Sequence, residues 1–150
     1  MDAVALLAVV LTGFTACAEF GSYAFVHPVI RRLPPAQMIA FEQGLLRTFG
    51  RAFPILMPAT GVVLVAHAVA AGGAGALPWW RWSAVAAWAL ATVTTLVVNV
   101  PINAATGRWD PEHPPENWRQ LRRRWDTFQA VRAWLVLAAF VLLSIGVVSA

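Results

Sequence analysis

Four stretches of this chain, about residues 3–30, 53–71, 82–106 and 128–148, are each long enough to cross a bilayer as a helix, and between them they carry two charged side chains, Glu19 and Arg132. The hydrocarbon core of a bilayer takes about twenty helical residues to cross and offers no water to backbone amides. Such runs therefore predict helices, and four of them predict an all-α, four-helix transmembrane bundle with one integral membrane domain. Composition agrees: 59% of the chain is hydrophobic and 12% charged, far from soluble averages. The eleven basic residues are all arginines and give a net charge of +4. They flank the apolar runs, which marks topology rather than a groove for nucleic acid.

Arg31, Arg32, Arg47 and Arg51 flank the first connection, and Arg108, Arg119, Arg122, Arg123 and Arg124 the third. Only Arg81 flanks the second. The positive-inside rule then places the first and third connections in the cytoplasm and both termini on the non-cytoplasmic side of a cytoplasmic or plasma membrane. Met1–Asp2 offers no positive n-region, and the first run continues past the lipoprotein-like FTAC at Phe14–Cys17, so this span is read as retained. Cys17 is the single cysteine. It excludes a disulfide within the chain and is expected as a packed thiol.

Arg31-Arg32-Leu33-Pro34-Pro35 stops the first helix. Residues 37–53 are amphipathic, with Ile39, Leu45, Leu46, Phe49 and Phe53 toward one side and Gln43, Arg47 and Arg51 toward another. This segment either lies on the membrane surface or extends the second span. Pro58 and Pro101 predict bends. A Gly-rich turn at 71–78 leads to Trp79, Trp80 and Trp82, which suit an interfacial belt. WDPEHPPE at 109–116 reads as a polar loop containing a solvated His113. Asn117 reads as a cap for the fourth helix.

Within these apolar runs the polar residues are not scattered. Thr92, Thr95, Asn99 and Asn103 recur at steps of three and four, which stacks them on one helical face. Glu19, Tyr23 and His27 step by four along the first span. At about 1.5 Å per residue, His27, Asn103 and Gln129 each lie about 6–7 Å inside the nearest arginine marker, and Tyr23, Asn99 and Arg132 about 12–14 Å inside. Glu19 lies near the midplane. Three spans thus place polar groups at matching heights, predicting a polar intramembrane site near the cytoplasmic side. Glu19 should be protonated or paired with Arg132, because an isolated acid at mid-bilayer costs about 2.5–3.5 kcal/mol. A packing-only role is the competing reading for the pair, for the asparagines and for Trp125. His27 and His67 belong to opposite halves of their spans and do not suit one haem. No HExxH, P-loop, GxSxG or CxxC occurs, and no metal is expected.

The four-span plan, His27-Pro28 after the first span, the segment Asn99-Val-Pro-Ile-Asn103, and Trp125 with Arg132 opening the fourth span together resemble the anthrone oxygenase-like family of small membrane proteins. Members typically carry Trp, then His four residues on, then Arg three further. Here Gln129 stands at the histidine position, and an amide cannot remove a proton. The resemblance implies oxidation of an anthrone to an anthraquinone by dioxygen, with no bound cofactor. An anthrone enolate reacts directly with oxygen once a base and oxyanion donors are supplied. The implied catalytic set is Glu19, His27, Asn103 and Arg132, with Glu19 or His27 as the base. Tyr23, Asn99, Trp125 and Gln129 are the implied substrate-binding set.

Two further classes compete with this enzyme: a non-catalytic binder, transporter or partner subunit, and a scaffold in which the polar stripes only specify helix pairing. The expected partners are the lipid bilayer and a small lipophilic molecule. Homo-oligomerisation stays open, since four thin spans leave polar groups little cover.

Overall fold

A computed structural model describes residues 3–70 and 79–148, and among these every regular element is helical. Four long helices follow one another: α1 (Ala3–Ile30), α2 (Pro35–Ala70), α3 (Trp79–Thr106) and α4 (Trp118–Val148), each long and apolar enough to cross a bilayer. The predicted turn at 71–78 lies outside the described residues. Helix α4 packs along α3 and α1, while α2 packs against α1 and α3, so the bundle is a ring in which α2 and α4 stand across from one another. Four successive antiparallel helices bring Ala3 and Val148 to one end of the bundle and the arginine-rich connections to the other.

Small residues make the close packing possible. Ala8, Ala16, Ala84, Ala91 and Ala139 are buried in the main apolar cluster, with Met57, Leu64, Trp88, Val136 and Leu143 filling between them. Lipid tails are as apolar as leucine, so helices associate in a membrane through such close approach rather than by expelling water. The Trp88 indole N–H donates to the Met57 carbonyl at 3.0 Å, tying α3 to α2. Large apolar side chains that would be a liability in water, among them Phe14, Phe25, Ile55, Val62 and Val97, cover the outside. Cys17 is exposed on that outer surface, not packed as expected, because the small residues beside it, Thr15 and Ala16, take the inward positions.

Helix α2 is continuous for 36 residues, so the amphipathic segment and the second apolar run are one rod that includes Pro54 and Pro58. At the arginine-rich end, the Gln43 side chain donates to the carbonyls of Thr106 (3.0 Å) and Trp109 (2.9 Å). Those bonds close the C-terminal end of α3, whose last carbonyls have no helical partner. In the loop that follows, the exposed His113 side chain bonds Asp110 at 3.1 Å and holds its carboxyl below the usual range. The Asn117 backbone carbonyl accepts from the amides of Gln120 and Leu121 as α4 begins.

Two helices carry a wide turn. Ser22–Val26 in α1 and Thr95–Asn99 in α3 are π-helical. In each case a proline follows two residues later, Pro28 and Pro101. A helical proline has no N–H for the carbonyl four residues back, and its ring crowds that carbonyl. Those carbonyls belong to Ala24 and Val97, inside the wide turns, and the extra residue per turn relieves the clash. Single π turns of this kind often mark functional sites.

Candidate functional site

All four helices line a cavity of about 410 Å³ in the half of the bundle nearer the arginine-rich end. The volume falls in the range of small-molecule sites. Its walls are mostly apolar, from Leu45, Leu46, Phe49, Phe53 and Met57 of α2 and Leu96 and Val100 of α3. Two buried charged clusters meet it.

The deeper cluster centres on Glu19, which is 2% exposed. Its Oε2 accepts from Gln129 Nε2 at 3.0 Å and from Arg132 Nε at 3.1 Å, and lies 3.0 Å from Arg132 Nη2. Arg132 also donates to the Gln129 carbonyl oxygen and, at 3.5 Å, to Thr95 Oγ1. The acid is therefore paired with Arg132, one of the two states expected of a mid-bilayer carboxylate. Gln129 uses both ends of its amide to hold that pair, a job for which a single neutral amide is well suited.

The second cluster lies about two helical turns nearer the arginine-rich end. Glu42 Oε1 accepts from Arg122 Nη2 at 2.5 Å and lies 3.5 Å from His27 Nδ1. The Trp125 ring is packed between the other two partners, 4.8 Å from the His27 ring and 4.3 Å from the Arg122 guanidinium. His27, Glu42, Arg122 and Trp125 are all buried. Buried polar atoms without a partner gather here: His27 Nδ1, Arg122 Nη1, Trp125 Nε1 and Asn99 Oδ1. Each such atom costs about 1–3 kcal/mol unless water or a ligand meets it.

The wide turns decide which side chains reach the cavity. In a straight α-helix, His27 stacks on Tyr23. Here the His27 amide bonds the Ser22 carbonyl, five residues back, so His27 stacks on Ser22 and both line the cavity. Tyr23 is turned away into a separate, shallower groove with Trp134 and Asp126, and its ring meets the edge of Phe20. The expected stripe of Glu19, Tyr23 and His27 thus loses its middle member. In α3 the Val100 amide bonds the Thr95 carbonyl, so Thr92, Thr95, Val100 and Asn103 face the cavity. Asn99 is displaced into the seam with α4, fully buried, with Nδ2 donating to the Trp125 carbonyl at 3.2 Å. The same register shift keeps Asn99, expected in the substrate-binding set, off the cavity lining.

Of the eight residues singled out from the sequence, Glu19, His27, Asn103, Trp125, Gln129 and Arg132 line the one cavity. Glu42 and Arg122 went unrecognised. Glu42 had a signal: it sits among Ile39, Leu45 and Leu46, on the apolar face of its segment, where a solvated acid does not belong. Arg122 was hidden inside a run of topology-marking arginines. Among the described residues, no three His, Cys, Asp or Glu side chains converge as a metal site would require.

No curated protein and no solved structure matches this chain. Residues 45–142 match the family model described as anthrone oxygenase, a stretch that holds Asn103, Trp125, Gln129 and Arg132 and leaves Glu19, His27 and Glu42 before it. With most of its length covered, this four-helix membrane protein belongs to the anthrone oxygenase family.

Proposed function

We propose that the cavity takes a flat, lipophilic aromatic molecule of the anthrone type from the bilayer and oxidises it with dioxygen, without a bound cofactor. One oxygen atom replaces both hydrogens of the methylene group, and those hydrogens leave with the other atom as water. The reaction needs an apolar slot, a base and donors for the oxyanion that forms on deprotonation. The observation that carries this reading is the meeting of an apolar cavity with buried, charge-paired polar clusters in a chain of this family. Asn103 lines the cavity and makes no side-chain bond among the described residues, so its amide is free to donate to an oxyanion. Gln129 and the charge-paired Arg132 add polar groups on the neighbouring α4 wall, and Trp125 a stacking surface. The arginine-rich end, and with it the cavity, is placed on the cytoplasmic side by the positive-inside rule.

A second reading, a non-catalytic binder of such molecules, is favoured by Gln129 at the family's usual histidine position. Oxygen uptake by the purified protein separates the two. With the parent anthrone as substrate, uptake above buffer that falls in Asn103→Ala and Arg132→Ala supports the oxygenase. Saturable binding of anthrone without uptake replaces it with the binder, and neither binding nor uptake overturns both.

A further inference from the structure

We propose that His27 is the proton-abstracting group of this cavity, with Glu42 and Arg122 as its positioning pair, and that Glu19 is not the base. The proposal rests on the oxygenase reading for its substrate class, but the step it assigns, removal of a carbon-bound proton, is separable from the oxygen chemistry.

The two acidic clusters differ in what a proton would do to them. Glu19 already neutralises Arg132 in a dry setting. Protonating it would strand the guanidinium charge, and an unpaired buried charge is strongly destabilising. His27 is arranged the opposite way. A proton taken up by its ring creates a cation beside the Glu42 carboxylate, 3.5 Å from Nδ1. Nδ1 is enclosed and faces Glu42, whereas Nε2 is not among the enclosed unpartnered atoms and the ring borders the cavity. This is the arrangement of an imidazole oriented by a carboxylate, with the second nitrogen left for the substrate. Glu42 is in turn fixed by Arg122, which is itself stacked on Trp125. At 3.5 Å the contact falls short of a hydrogen bond, and catalytic hydrogen bonds commonly tighten only when substrate is bound.

In the step proposed, the Nε2 lone pair takes one methylene proton, and the electron pair of that C–H bond moves into the ring system as the enolate. The neutral reactants become an imidazolium and an enolate, so the cluster of Arg122, Glu42, His27 and enolate carries no net charge. The charged groups around His27 are Glu42 from α2, Arg122 and Asp126 from α4, and Arg31 on its own helix, where the Arg31 side chain donates to the His27 carbonyl at 3.2 Å. Helix α3 contributes no ionisable side chain between residues 82 and 106.

The test is anaerobic exchange of the methylene protons of anthrone with deuterated water, followed by mass spectrometry over a range of pH, beside oxygen uptake in air. Wild type should exchange faster than buffer. His27→Asn should lose about a hundredfold or more of that excess, as expected for a general base. His27→Gly should regain part of it when imidazole is added. Glu42→Gln should lower kcat more than KM and displace the acidic limb of the pH profile, which a merely structural role would not do. His27→Asn or His27→Gln exchanging at the wild-type rate would overturn the proposal, even with oxygen uptake intact. Exchange that depends on His27 without any oxygen uptake would sustain it and overturn the oxygenase reading. No exchange above buffer by wild type would overturn the proposal, and no oxygen uptake beside it would overturn the oxygenase reading as well.

Discussion

The Glu19–Arg132 pair allows a prediction whose size distinguishes an ionised pair from a neutral hydrogen bond. Both side chains are at least nine-tenths buried, and three donor contacts at 3.0–3.1 Å converge on one carboxylate oxygen. Glu19→Gln keeps the shape and removes the charge, leaving Arg132 facing a neutral amide in a low-dielectric site. Breaking a buried pair from one side costs about 3–5 kcal/mol. Arg132→Met should cost less, because Glu19 can then take up a proton and become neutral. The double variant Glu19→Gln with Arg132→Met should recover most of the loss, since buried pairs replaced as a unit are close to neutral. The coupling in this cycle is therefore expected above about 2 kcal/mol. Neutral interhelical hydrogen bonds in membranes average about 0.6 kcal/mol and reach about 1.7. Reversible unfolding of the four proteins in mixed micelles gives the coupling directly. A value near 0.6 kcal/mol would refute the ionised pair and require a protonated Glu19.

Four other substitutions probe the frame around the site. A Cβ at Gly146 would run into the rigid Trp80 indole, so Gly146→Ala should lower stability by about 1–3 kcal/mol, while Gly44→Ala, with open space at that position, should raise it by up to about 1 kcal/mol. Thermal unfolding in detergent checks both, and equal effects would count against this packing. Gln43→Leu removes the bonds to Thr106 and Trp109 and should cost about 1–2 kcal/mol; faster amide exchange at 106–111 is the local readout. Asn99→Leu loses one bond but relieves the unpartnered Oδ1, and should leave stability within about 1 kcal/mol and anthrone binding intact. A loss of binding would return Asn99 to the cavity.

Sequence periodicity carried the bundle because a bilayer leaves the chain few choices: a run without charge must be a helix, and its length is set by the membrane. Heights were harder to read: counted from the arginines, Gln129 falls level with His27 and Asn103 and well short of Glu19, yet Gln129 and Arg132 both bond Glu19. Helix α4 begins at Trp118, so Arg122, Arg123 and Arg124 lie inside it and do not share a depth origin with Arg31. Azimuth was less legible. One added residue in a turn rotates everything beyond it, and Tyr23 and Asn99 fall where that rotation acts. The dipeptide pattern was visible, with Pro28 and Pro101 each inside an apolar run, but proline alone does not say whether a helix will bend or widen. Pro54 and Pro58 occur in α2 without a wide turn. Glu42 was missed for a different reason: an acid on an amphipathic segment is ordinarily solvated, and only burial against His27 and Arg122 shows otherwise.

The two wide turns also decide which side chains each polar cluster presents to the cavity. Without the turn in α1, His27 would follow Tyr23 around the helix and the second cluster would lose the ring that borders the cavity. Without the turn in α3, Asn99 would enter the cavity and place an amide on the wall now formed by Val100. The proline beside each turn fixes its position, because no other residue in α1 lacks the N–H, and in α3 only Pro101 does. Pairing within the deeper cluster leaves Glu19 and Arg132 with their charges satisfied. The outer cluster keeps an imidazole beside a carboxylate and unpartnered donors on Trp125 and Arg122. A fully satisfied cluster stabilises the bundle, and a partly satisfied one is where an incoming polar group gains most. On the reading proposed above, His27 sits at the end of the cavity where hydrogen-bonding capacity is left unspent.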